Sequence, residues 1–218
     1  STAIYTATIG QPIMVEIAAA AAASGIHVID SPVSGSTPRA KTGTLTMMPS
    51  GKQEIFERCL PILEVVGKDI IYVGEEPGLG QIAKTALQVL VGATFAGVCE
   101  ALVLGVKAGI DAESLSRVLC PSIAGSLLVE LVTENVMKRN FTAGSKIATT
   151  YKDLVLANDL AKKLGVPMFV TGAVHELFQA GITMNPDEDN HTIIKLLEQV
   201  AGVEVRGSDA ANPTNNGD

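Results

Sequence analysis

The chain has 218 residues, 47% of them hydrophobic and 18% charged, with a formal net charge of −7. That length supplies one sizeable domain or two smaller ones, with ample material for a core. The acidic balance, with no local basic run to reverse it, excludes generic nucleic-acid binding, which needs a basic stripe.

The first stretch, STAIYTATIGQP, has no initiator Met and no charged-then-apolar signal pattern. It reads as a strand already in progress, so the expectation is a fragment of a longer protein, with this strand a candidate exposed sheet edge. As far as residue 78, β-like runs (AIYTAT, IHVID, TLTMM, DIIYVG) alternate with helical patterns at 11–24 and 52–66. Strands alternating with helices predict the parallel or mixed sheet of an α/β domain. Gly25 and Gly67 fall where helix C-termini take a residue tolerant of positive φ.

From residue 79 the β signals vanish. Helical patterns cover 80–109, 112–119, 126–138, 144–164, 168–180 and 189–200. Asp111 is placed to cap one helix. Pro121 and Pro167 mark starts, and Gly109, Gly165 and Gly181 mark ends. The predicted organisation is an α/β domain over residues 1–78, an all-helical domain over 79–206, and a small, polar, disordered tail over 207–218.

The three cysteines, Cys59, Cys99 and Cys120, are widely spaced, and none sits in a C-x-x-C pair or beside a His. They read as free thiols in a reducing compartment, and no metal site is expected. The run 86–106 approaches membrane length, but Glu100 interrupts it and Lys84 and Lys107 flank it. It reads as the centre of a helical core, with no membrane as partner. His191, in the acidic run DEDNHT, reads as solvent-facing.

Gly78-x-Gly80-x-x-Ala83 follows a strand and opens a helix, which meets the spacing of a dinucleotide-binding fingerprint. The context fails, because the helix runs on through Val106 and Glu100 sits inside it. A glycine-rich helix start is the better reading. Lys84 lies one turn into that helix among Ile82, Ala83, Ala86 and Leu87, with Gln88 one turn on along the same face. It is either a partly desolvated amine suited to proton transfer or a lysine snorkelling from a helix end. Ser34-Gly35-Ser36 sits in a long connection between apolar runs. It is either a backbone and hydroxyl cradle for a small carboxylate or an ordinary Ser/Gly turn.

Taken together, DSPVSGS…GTLTMM, then GLGQIAK, then YKDLVLANDLAKKLGVPMFVTGAV resemble, in order and spacing, the β-hydroxyacid dehydrogenase family over residues 1–200. The resemblance implies the later part of a Rossmann-type NAD(P)-binding domain, followed by a helical domain like the C-terminal domain of 6-phosphogluconate dehydrogenase. It implies NAD or NADP as cofactor and hydride exchange with a small carboxylate-bearing 3-hydroxy acid, or reduction of the matching semialdehyde acid. By the same resemblance, Lys84 is the proton-exchanging residue, and Ser34, Gly35 and Ser36 hold the substrate carboxylate. Gln88 orients the substrate or Lys84, and Thr8 and Lys152 lie near the cofactor. A homodimer or homotetramer in the cytoplasm, or in another reducing compartment such as the mitochondrial matrix, is implied as well.

This sequence departs from the family pattern at several points. Ser36 replaces a glycine, Leu87 and Gln88 replace two asparagines, and Ala7 replaces a serine. Ala143, Ser145 and Thr149 stand where relatives usually have Pro, Phe and Leu. The family's N-terminal Gly-x-Gly-x-x-Gly does not occur in this chain. The rival expectation is a non-catalytic relative that serves as an assembly module.

Overall fold

The computed structural model describes residues 1–208. They form two compact units: Ser1–Val89 with Asp153–Pro167, and Leu90–Lys152 with the residues from Met168 onward. Two long helices, α4 (Leu79–Lys107) and α7 (Ile147–Leu164), contribute to both. The last strand ends at Ile70 and α4 begins at Leu79, while compactness groups residues 79–89 and 153–167 with the strands.

The first unit is built on two small sheets. Strands β1 (Thr2–Tyr5) and β2 (His27–Asp30) pair in parallel across helix α1 (Gln11–Ala23), as a strand–helix–strand unit should. The second sheet has the order β3 (Val33–Ser34), β4 (Leu45–Met47), β5 (Gly67–Ile70). Its β3–β4 pair is antiparallel and its β4–β5 pair parallel, so the predicted mixed sheet forms. Ser50 bridges to both Asp30 and Gly74. Helix α3 (Gln53–Val66) buries Ile55, Cys59 and Leu63, one turn apart along one face, and the first two pack on Ile29 of β2.

Two details differ from the sequence reading here. Gly67 ends α3 with φ −124°, an extended conformation. Glycine is required there by close approach, since a Cβ would lie 2.7 Å from the Met47 side chain. A short helix, α2 (Ser36–Lys41), also fills part of the long polar connection. Six residues are too few to show a helical period in sequence.

The second unit contains helices α5 (Ala112–Leu119), α6 (Leu127–Met137), α8 (Phe169–Met184) and α9 (Ile193–Ala201), besides its shares of α4 and α7. Asp111 caps α5 as expected, accepting from the Ser114 backbone N–H at 2.8 Å. Gly109 and Gly165 adopt positive φ at helix ends. Gly181 instead lies inside α8, where a Cβ would meet the Ile147 and Ile193 side chains at 2.7 and 2.9 Å. Helix α4 is long and apolar enough to cross a membrane by length and composition. In its second half Cys99 and Leu102 are fully buried, and Phe95 meets Phe178 edge to face at 6.4 Å.

The largest departure concerns His191, which is 1% exposed. Its Nε2 donates to the Asn140 carbonyl at 2.7 Å, and its Nδ1 lies 3.1 Å from Asp189 Oδ1. Asp189 also accepts from the backbone N–H groups of Gly144 and Ser145 at 2.8 and 2.9 Å. Arg139 nearby grips Glu198 with both guanidinium nitrogens, at 2.6 and 3.0 Å. The three cysteines are free thiols, as expected. At the last described residues, Gly207 donates to the Met137 carbonyl and Ser208 to Glu113. The rest of the expected disordered tail lies outside the described residues.

Candidate functional site

The site is assembled on the first three turns of α4. Gly80, Lys84 and Gln88 are four residues apart and share one stripe of the helix. At the start of that stripe a Cβ on Gly80 would lie 2.5 Å from the Met48 carbonyl oxygen, 2.8 Å from Asp30 Oδ2 and 2.9 Å from Pro32. Only glycine admits so close an approach. The helix turn bearing Lys84 therefore begins against Pro32, two residues ahead of Ser34.

Lys84 is 8% exposed, so its amine is drawn inside and does not snorkel to water. It donates to Gln88 Oε1 at 2.9 Å, and Gln88 Nε2 donates to Asp153 Oδ2 of α7 at 2.8 Å. An ammonium has only donors and a carboxylate only acceptors, so the two ends fix which way the Gln88 amide points. The result is a buried relay of amine, amide and acid, all within the first unit. Asp153 is 2% exposed and was missed in sequence, although it adjoins Lys152; nothing local shows that it reaches Gln88.

Ser34, Gly35 and Ser36 lie at the junction of β3 and α2. Ser34 ends β3, paired with Thr46, and Gly35 precedes α2 with φ 130°. Ser36 has φ 56°, a left-handed conformation uncommon for a residue with a side chain. Glycine reaches this conformation without the penalty that a Cβ brings, so Ser36 holds it at a cost. Arg39 of α2, also unforeseen, donates to Thr46 Oγ1 at 3.2 Å and Asp69 Oδ2 at 3.1 Å, tying the short helix to β4 and β5.

Thr8 sits half-buried in the turn between β1 and α1, in the first unit. Lys152 is exposed on α7 and falls in the second unit. A residue with no sequence signal, Gln81, holds the turn of Thr8. Its Oε1 accepts from the Ile9 and Gly10 N–H groups at 2.9 and 3.1 Å, and its Nε2 donates to the Ala7 carbonyl at 3.0 Å and Asp30 Oδ1 at 2.6 Å. Asp30 is fully buried; burial pushes its carboxyl above the usual range, against the opposing pull of Gln81 and Ser50.

The glycine-rich start of α4 is not a phosphate cradle. The Gly80 N–H donates to Ser50 Oγ and the Gln81 N–H to Asp30 Oδ2. Backbone donors so engaged do not point at an anion. Among the described residues there is no group of three or more metal-ligating side chains.

Comparison with known proteins places this geometry. Residues 1–74 match the family described as the NAD binding domain of 6-phosphogluconate dehydrogenase. Residues 78–197, more than half the chain, match the family described as NAD-binding of NADP-dependent 3-hydroxyisobutyrate dehydrogenase. The chain belongs to the β-hydroxyacid dehydrogenase family. It is 38% identical over 194 residues to 2-(hydroxymethyl)glutarate dehydrogenase of Eubacterium barkeri, covering 88% of this chain and 64% of that enzyme. It is 37% identical over 178 residues to 2-hydroxy-3-oxopropionate reductase of Escherichia coli K12, covering 81% of this chain and 61% of that one. This β-hydroxyacid dehydrogenase family chain thus spans less than two thirds of the length of those two curated relatives. The solved 3-hydroxyisobutyrate dehydrogenase of Salmonella typhimurium superposes with a TM-score of 0.84 at 30% identity, over 90% of this chain and 69% of that one.

Proposed function

We propose that the whole protein is an NAD(P)-dependent oxidoreductase acting on a small 3-hydroxy acid, or reducing the matching semialdehyde acid. The supporting observation is the buried relay Lys84–Gln88–Asp153, whose helix turn starts against the segment leading into Ser34. The two curated relatives carry the names of a hydroxy-acid dehydrogenase and an oxo-acid reductase, which agrees.

In this reading Lys84 Nζ exchanges the proton of the substrate hydroxyl, held by Gln88 in one direction. Asp153 accepts from Gln88 Nε2 and so keeps the Gln88 amide from turning. Ser34, Gly35 and Ser36 hold the substrate carboxylate through hydroxyl and backbone donors. The departure at Gln88 preserves a side chain able to accept from Lys84, so it changes the pocket and keeps the relay. Among the residues of the first unit, Thr8 would hold the nicotinamide end of the coenzyme. The engaged N–H groups of Gly80 and Gln81 do not fit its diphosphate. The coenzyme supplies the hydride chemistry when bound.

The test is Lys84→Ala in the whole protein. Turnover should fall at least about a hundredfold, with the fold intact by circular dichroism. Unchanged turnover refutes the assignment, and absence of a thermal shift with either NAD+ or NADP+ would favour the non-catalytic reading. We further infer self-association through the apolar groove between α4 and α9, where Leu104 and Val200 are 73% and 81% exposed. Sedimentation at a series of concentrations checks it; a monomer throughout would exclude it.

A further inference from the structure

Gln81 carries an inference of its own. Its side chain is fully buried, yet it is a primary amide in a place where Leu or Met would fill the same volume. A buried amide is tolerated only when its donors and acceptors are paired, and here all four hydrogen-bonding positions are used. The partners lie on two distant segments: Ala7, Ile9 and Gly10 in the turn after β1, and Asp30 at the end of β2. The backbone of Gln81 adds a bond from its N–H to Asp30 Oδ2 at 3.0 Å, and its carbonyl accepts from Thr85 Oγ1 at 2.8 Å. Its Cα is brought within reach because Gly80 lies against Met48 and Asp30, and because Gly10 turns with φ 88°.

We propose that Gln81 is a positioning residue, which registers the turn carrying Thr8 against the helix turn carrying Lys84 through hydrogen bonds that span both. It deepens the reading above and rests on it for its kinetic consequence. Gln81 touches neither substrate nor coenzyme in this scheme. It fixes the separation between the segment assigned to the nicotinamide and the amine assigned to the proton, and small misplacements of such groups are costly to turnover.

The experiment has a structural and a kinetic arm. Amide hydrogen exchange is measured on this chain, as wild type and as Gln81→Met. In the wild type the Ile9 and Gly10 N–H groups should be protected. In the variant these two should exchange freely while Ile29 in β2 stays protected. In the whole protein, Gln81→Met should lower kcat by about tenfold to a hundredfold and raise KM for the coenzyme, leaving KM for the hydroxy acid within about twofold.

Lost protection at Ile29 would mean that the variant does not fold, and a second pair then decides. Gln81→Glu sets a carboxylate against Asp30 and should be severely impaired. Adding Asp30→Asn gives the new carboxylate an amide donor in place of the Asp30 charge, while its second oxygen meets the Ala7 carbonyl, so part of the lost turnover should return. Protected Ile9 and Gly10 in Gln81→Met overturn the proposal. So does equal damage to both KM values, or failure of the double variant to recover. An inactive wild type would instead count against the proposed function, and the exchange arm would still decide the role of Gln81.

Discussion

Both units of this protein bury carboxylates, and Asp30 in the first and Asp189 in the second are handled in opposite ways. Asp30, in the first unit, receives hydrogen bonds from the Gln81 amide, the Gln81 backbone and Ser50, and no cation is paired with it among the described residues. Its carboxyl is pushed up by burial. Asp189, in the second unit, is also desolvated by burial, but it accepts from two backbone N–H groups and faces the His191 ring. The net result holds it below the usual range. Side-chain amide and hydroxyl donors only soften the cost of burying Asp30, whereas two backbone donors joined by the His191 ring overcome that cost at Asp189. The first arrangement leaves a carboxylate that orients an amide beside the proposed site. The second fixes the connection that starts α7.

The largest effect expected from breaking this comparison comes from His191→Leu. It removes the partner of Asp189 and leaves a buried charge with backbone donors alone, at a cost of about 3–5 kcal/mol in unfolding free energy. Denaturant titration reads it directly, and a loss below the scatter of surface substitutions would mean that Asp189 does not depend on the imidazole. A smaller effect contrasts the glycine beside each carboxylate. A Cβ on Gly80 would lie 2.8 Å from Asp30 Oδ2, and one on Gly144 would lie 3.5 Å from Asp189 Oδ2. Gly80→Ala should cost about 1–3 kcal/mol by forcing α4 off its support, and Gly144→Ala no more than about 0.5 kcal/mol. Equal losses would show that close approach does not distinguish the two sites.

This contrast also explains what could be read in the sequence. Helix ends were legible because their signals are local: the Asp111 cap and the glycines at 109 and 165 act within one turn. The Lys84–Gln88 pair was legible for the same reason, being four residues apart on one helix. His191 was misread because the acidic run around it suggests solvent, while its acceptor, the Asn140 carbonyl, lies 51 residues away. Gln81 and Asp153 were invisible because their partners are separated from them by 51 to 74 and by 65 residues. Gly67 and Gly181 were assigned to the wrong cause: their neighbours in space, not their dihedral angles, require glycine.

The smallest and most diagnostic effect is on pH dependence, where the two carboxylates have opposite signs. A group whose folded pKa is raised stabilises the protein fully below its unfolded value and loses that contribution as pH rises through the folded one. Asp30 should therefore make stability decline as pH rises above its ordinary value of 3.8. Asp189, held down in the fold, contributes fully above 3.8 and loses that contribution as pH falls through its lowered value. Melting curves of wild type and Asp30→Asn from strongly acidic to neutral pH separate them. The substitution leaves the Gln81 backbone N–H poorly paired and lowers stability at every pH, so the slope is the quantity to compare. Asp30→Asn should abolish the decline on the upper side of 3.8 and leave the acid limb unchanged. An upper limb with the same slope in both proteins would mean that Asp30 titrates at its ordinary value. The Gln81 amide would then offset the whole cost of burying it, and the two carboxylates would differ in their partners but not in their energetics.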